Sequence, residues 1–494
     1  MQASNKHSST GLAALEARLA QELEWLCLPP PDWTPERKVG ETDVSDVLIV
    51  GGGMCGLSAA GALKLLGIHK QRIVDRASAG EEGPWVTFAR METLRSPKAL
   101  TGPCLGLPAL TFRAWYEAQF GLDAWHALDK IPREQWMDYL VWYKRVLGLT
   151  IENGVTVRSI EAAPEGLLRV ELQTPHGAET AWARHVVLAT GRDGGGAPQI
   201  PAMAAGISRR YWAHSAHEID FDALRGKRVA VLGAGASAMD NAATALEAGA
   251  VRLDLFIRRN DIPRINKLTG VSNPGIAHGF ATISDEWKWR FNHYAMVSQV
   301  PPPRSSTLRV SRHANAHFHL GSPVEALEVR GNALHIRTPN GIYEIDFLIF
   351  GTGFITDLKQ RPELAAFHDA IRLWKDAVDP SRLDANRELA NSPYLGEAFE
   401  CLEKTPGACP ALRQVHLFNY CALASLGKLS GDIPAVSIGA QRLAQGIISA
   451  LFDEDKEAHF AALQAYATPE LYGDEWTDAD LAPTTESAPV QESI

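Results

Sequence analysis

Residues 47–60 read VLIVGGGMCGLSAA, and residues 229–240 repeat the pattern as VAVLGAGASAMD. In each, an apolar run (Val47 to Val50, Val229 to Leu232) enters a glycine-rich turn that opens into a helix of small residues, the start of a βαβ unit. In the first turn Gly51 permits the tight bend, Gly53 lets a pyrophosphate approach the backbone, and Gly56 lets helix and strand pack closely. The helix N-terminus then offers amide donors and a partial positive charge to the phosphates. The second turn has Gly233 and Gly235, with Ala238 in the third place, a permitted variant.

A glycine triplet also serves ordinary tight turns, so the strand after each loop carries the decision. After the first, QRIVDR (71–76) places Asp75, followed by Arg76, where a carboxylate accepts hydrogen bonds from an adenosine ribose. After the second, VRLDLFIRRN (251–260) brings Arg258 and Arg259 to the equivalent position. Guanidinium groups there suit the 2′-phosphate of NADP; the alternative is a solvated basic strand end. Two different dinucleotides on one chain imply electron transfer between two cofactors.

With 494 residues of near-average composition, the chain is long enough for two or more domains with large cores. The formal charge of −10 is spread along the sequence with no long basic run, which argues against nucleic acid or an anionic membrane as a partner. Six cysteines with no C-x-x-C pair read as buried thiols in a reducing, cytoplasmic setting. In GLAALEARLAQELEWLCL (11–28) the apolar positions recur at helical spacing, and Glu16, Arg18, Glu22 and Glu24 interrupt any membrane-spanning run. An amphipathic helix packed on the body is expected, then a stiff linker at PPPDWTPE (29–36). The acidic end, 469–494, reads as a disordered tail.

Two further strands settle the layout: HVVLATGRD (185–193) before the second fingerprint and DFLIFGTGF (346–354) after it. Both end in Thr-Gly, at Thr190-Gly191 and Thr352-Gly353, as expected where a chain crosses between a domain and one inserted in it; each alone fits an ordinary strand and turn equally well. The expected fold is α/β, a Rossmann-like FAD domain with an inserted Rossmann-like NADPH domain. Its parts are a helical extension and linker at 1–45, FAD-binding segments at 46–205 and 343–468, the nicotinamide domain at 206–342, and the tail. In LSGDIPAVSIGAQRLAQGI (429–447), Asp432 stands before a helix pattern, placed either to bind the ribityl chain near the flavin or as a simple N-cap.

Together these stretches resemble the two-dinucleotide-binding flavoproteins, most closely the class B flavin monooxygenases. METLRSPK (91–98) and IPREQWMDYLVW (131–142) are similar to segments of the microbial N-hydroxylating branch. The FAD domain also resembles the group of flavin-dependent urate hydroxylases and aspartate N-oxygenases. The F-x-G-x-x-x-H signature of the family survives only as YWAHSAH (211–217), which keeps His214 and lacks the preceding Phe and Gly. The resemblance implies that NADPH reduces FAD, that the reduced flavin captures O2 as a C4a-peroxide, and that a small polar, nitrogen-containing substrate (urate or another purine, an amino acid, an amine) is hydroxylated. It implies small-molecule partners only, with a homo-oligomer possible.

The resemblance also places Trp85 against the isoalloxazine, where a core Trp is the alternative, and Arg95 and Lys98 beside flavin and substrate, where solvated loop charges are the alternative. Trp136 and Tyr139 read as core. HANAHFH (313–319) reads as a strand with outward histidines rather than a metal site, and His214 and His217 as residues of the domain junction. A reductase without oxygen insertion and a flavin-bound sensor remain as rival functions.

Overall fold

The computed structural model describes residues 11–379, 381 and 386–480. Its central sheet has the order Ile151–Asn153, Gln71–Asp75, Thr42–Val50, Gly177–Leu188, Leu167–Thr174, Thr156–Ala163, with the short strands Lys38–Val39 and Val415–His416 attached. The strands carrying the first fingerprint are parallel and register Val50 beside Val74 and Leu188. Their residues Val47, Leu48 and Ile49 are fully buried, side chains of both faces alike.

A second sheet is wholly parallel, in the order Ala316–His319, Arg252–Phe256, Arg228–Leu232, Phe347–Phe350, Trp212–His214. A three-stranded meander, Ala326–Arg330, Ala333–Thr338 and Gly341–Ile345, precedes its return strand. Phe347–Phe350 pairs with Val229 to Leu232, so the chain leaves this sheet after Phe350 and not at the 342/343 boundary expected from sequence. The two crossings pair with each other: Phe354–Thr356 runs antiparallel to Gly196–Pro198.

The amphipathic pattern near the start forms the helix Leu12–Trp25, which buries Leu15 and Leu19, while Glu16 meets Arg145 and the Trp142 indole. Arg184, fully buried in the central sheet, binds Asp46 (3.1 Å), Glu454 (2.9 Å) and Asp455 (2.8 Å); Arg37 reaches Asp455 at 2.7 Å. Of the expected tail, residues 469–480 carry neither helix nor strand, and 481–494 lie outside the described residues. Among the described residues no helix is long and apolar enough to cross a membrane. Cys27 is exposed, contrary to the expectation of buried thiols; Cys55, Cys104, Cys401 and Cys421 are buried.

Candidate functional site

The first fingerprint turn is shaped by its own backbone. Gly51 has φ 104°, and a Cβ on Gly56 would sit 1.8 Å from the Gly51 carbonyl oxygen, so any side chain there would break the turn. Gly53 precedes the helix Met54–Leu65, whose first amides face the loop. Asp75, at the end of its strand, accepts from the Gly52 amide (2.7 Å) through one carboxylate oxygen and from Ala77 (2.8 Å) through the other. The carboxylate therefore braces the loop while keeping lone pairs for a ligand. Arg76 lies beyond it, exposed. These residues fit a bound dinucleotide on a further ground: Trp85 Nε1 is buried without a partner among the described residues, and Gly83 beside it packs against Gly53. An indole N–H so placed can donate to an acceptor that a ligand in the loop would bring.

The second fingerprint has the same geometry. Gly233 has φ 132°, and a Cβ there would meet the Gly351 carbonyl at 2.4 Å; Ala238 is fully buried against Gly351; a Cβ on Gly235 would meet only open space. Arg258 and Arg259 stand just past the strand Arg252–Phe256 and line the same cleft as Gly233 and Gly235. That cleft, about 1120 Å³, runs across the molecule to Tyr420, Gly431 and Asp432. The helix Asp285–Ser298 contributes Asn292 and Met296 to its wall. Asp432 makes no side-chain cap to the turn that follows it, which removes the capping alternative; its carboxylate faces the cleft with Lys428 Nζ at 3.8 Å.

At the strand ends, Thr190 Oγ1 accepts from Asn419 Nδ2 at 3.2 Å, and Gly191 follows with φ 77°. The Gly353 carbonyl accepts from the Gln199 amide at 2.8 Å, and Thr352 Oγ1 donates to the Gln199 carbonyl. His214 and His217 sit at this junction. His217 Nδ1 accepts from the His214 amide at 2.9 Å.

The segment 91–98 splits. Arg95 lies in the field of Asp432; burial lowers its pKa and that carboxylate opposes the shift. Lys98 is turned away: its ammonium donates to the carbonyls of Trp125 (2.7 Å), His126 (3.2 Å) and Leu128 (2.5 Å), at the end of the helix Phe112–Ala127. All three of its protons are used, so Lys98 caps a helix and has none left for a substrate. Trp136 and Tyr139 are fully buried, and Trp136 packs edge-on to Trp85 at 6.2 Å. In 313–319, His319 stacks on Phe256 and pairs with Asp254 at 2.7 Å, a carboxylate that the sequence left unnoticed. Sequence reading also missed Asn419 and the run Gly194 to Gly196. The triple glycine, separated from Thr190-Gly191 by two residues, was the available signal; nothing marks a lone Asn.

Two glycine-loop sheets joined by paired crossings define a two-dinucleotide-binding oxidoreductase. The chain belongs to the pyridine nucleotide-disulphide oxidoreductase family, which it matches over residues 48–301, and within it stands with the FAD-dependent hydroxylases. It is 40% identical over 465 residues to the FAD-dependent urate hydroxylase of Xanthomonas campestris pv. campestris, covering 94% of this chain and 98% of that protein. The fold is shared with the ornithine N-hydroxylase of Kutzneria sp. 744, solved with reduced FAD, NADP⁺ and L-ornithine. That match has TM-score 0.63 and 16% identity, covering 82% of this chain and 99% of that one. L-lysine 6-monooxygenase from Pseudomonas syringae gives TM-score 0.62 at 18% identity, covering 83% and 99%.

Proposed function

We propose that the protein is an NADPH-dependent FAD monooxygenase that hydroxylates a small polar, nitrogen-containing compound, with urate the first candidate. The observation that carries this reading is the single cleft joining the Gly233 loop and Arg258 to Gly431 and Asp432, because hydride donor and oxidised centre must share one enclosed space. The near full-length likeness to a urate hydroxylase supports the choice of substrate.

In this reading the FAD domain comprises 46–205 and the chain after Phe350, and the NADPH domain lies between them. Gly51, Gly53, Gly56 and Asp75 hold the adenosine half of FAD, with Arg76 at its outer edge. Trp85, Thr190, Gly191, Gly353 and Asp432 border its flavin half. Gly233, Gly235 and Ala238 seat the NADPH pyrophosphate, and Arg258 and Arg259 hold its 2′-phosphate by charge-assisted hydrogen bonds. Reduced FAD supplies the oxygen-activating chemistry. Arg95 offers its charge to an anionic heterocycle, and the cleft walls keep water from the reacting atoms.

The overall balance is substrate, O2, NADPH and a proton giving hydroxylated substrate, water and NADP⁺. The test is incubation of the purified protein with NADPH, urate and isotopically labelled O2, followed by mass spectrometry. One labelled oxygen in the product for each NADPH supports the reading, and NADPH loss without labelled product overturns it.

A further inference from the structure

We infer that Asn419 is a positioning residue: it locks into one unit the three chain segments proposed above to border the FAD. The inference rests on that placement of FAD and adds a residue to which neither of the fingerprints points.

Asn419 is fully buried, yet every polar atom of its side chain is used. Its Nδ2 donates to the Leu188 carbonyl and to Thr190 Oγ1, both at 3.2 Å, fixing the strand end that leads to Gly191. Its Oδ1 accepts from the Cys421 amide at 3.1 Å. Its carbonyl accepts from Ser430 Oγ at 2.6 Å, and the Ser430 carbonyl accepts from Cys55 Sγ at 3.1 Å. An unbroken polar chain thus runs from the helix that follows the first glycine loop, through Ser430 beside Gly431 and Asp432, to Thr190.

Burial pushes the Cys55 thiol up to about 12, so it stays a neutral donor. The surroundings are packed to backbone contact: a Cβ on Gly194 would lie 2.1 Å from Thr190 Oγ1 and 2.8 Å from Asn419 Nδ2, and one on Gly195 would lie 2.4 Å from the Cys421 Cβ. A bridge of this kind has one arrangement. Replacing the Asn419 side chain with an apolar one takes that partner from Thr190, Leu188 and Cys421 and frees the strand end from the 419–430 segment, while the main-chain link to Ser430 and Cys55 stays and is removed separately by Ser430→Ala or Cys55→Ala.

The test uses the full-length protein and its Asn419→Leu variant. FAD affinity is measured by titrating apoprotein, and coupling by the hydrogen peroxide formed per NADPH oxidised. The expected result is an FAD Kd raised about tenfold or more and a larger peroxide fraction, with the NADPH KM within about twofold of the parent. Cys55→Ala should move both readouts the same way by less, and Cys55→Ser, which keeps a donor, should restore them. A folded Asn419→Leu protein with parental FAD Kd and parental peroxide ratio overturns the inference. Should that variant not fold, Ser430→Ala and Cys55→Ala decide: parental values in both overturn it, and raised values in both support it. The FAD titration needs no substrate, so it judges the bridge separately from the identity of the compound hydroxylated.

Discussion

His214 Nε2 lies 2.9 Å from the carbonyl oxygen of Gly353 and donates to it, so the imidazole at the start of the inserted unit holds the strand end by which the chain leaves it. Its Nδ1 accepts from the Ala216 amide at 3.1 Å, which fixes a neutral ring with its proton on Nε2. Burial drives its pKa down to about 4, against the hydrogen bond to Gly353. His416 is held down in the same way, to about 3, by burial and by the neighbouring His185.

These two residues set an acid limit. Both have folded pKa values below the unfolded value of 6.5, so their contribution is intact above pH 6.5 and is lost as pH falls from there towards 4 and 3. Each should cost about 1.4 kcal/mol of stability per pH unit in that window. Denaturant titrations at a series of pH values should show the slope, and His214→Gln should make it shallower; an unchanged slope would remove His214 from the account.

Arg258→Ala should raise the KM for NADPH by about ten- to a hundredfold, the loss of one charge-assisted contact to the 2′-phosphate, and leave that for NADH nearly constant. Steady-state kinetics with both nucleotides check this. Equal changes would mean that the arginine does not read the phosphate.

Arg95 and Lys98 should separate cleanly. Lys98→Met removes the cap on the helix Phe112–Ala127 and should lower stability by about 1–2 kcal/mol with substrate KM unchanged. Arg95→Ala should raise the KM for an anionic substrate at constant melting temperature. Thermal melts and substrate kinetics on the two variants distinguish a helix cap from a substrate contact.

Gly56→Ala should abolish flavin retention, since the added methyl would press on the Gly51 carbonyl and open the turn. The visible absorbance of the purified variant, compared with its protein absorbance, gives the flavin content directly. Full occupancy would show that the loop tolerates the clash.

The glycine loops, the acid after one and the arginines after the other were legible because local backbone demands restrict the residue types that can stand there. The α/β class followed from the periodicity of the same stretches. Asn419 was invisible because its role depends on partners more than two hundred residues away, Leu188 and Thr190, and an Asn before a turn looks like any other. Lys98 misled for the converse reason: family likeness set it beside the substrate, while a local helix end took all its protons. The return crossing was placed early because the strand Phe347–Phe350 reads equally well as the first of one domain or the last of the other; its pairing with Arg228–Leu232 assigns it to the second.

The ion cluster around Arg184 has a bearing on how the protein is made. Asp455 and Glu454 emerge from the ribosome long after Arg184 and Asp46, so a growing chain has only Asp46 to meet the guanidinium within its central sheet until the final helices arrive. The second sheet draws all its strands from residues 212–350, so it is expected to form first, with closure of the outer unit left to the end of synthesis. Protease probing of chains stalled before and after residue 455 would reveal that order.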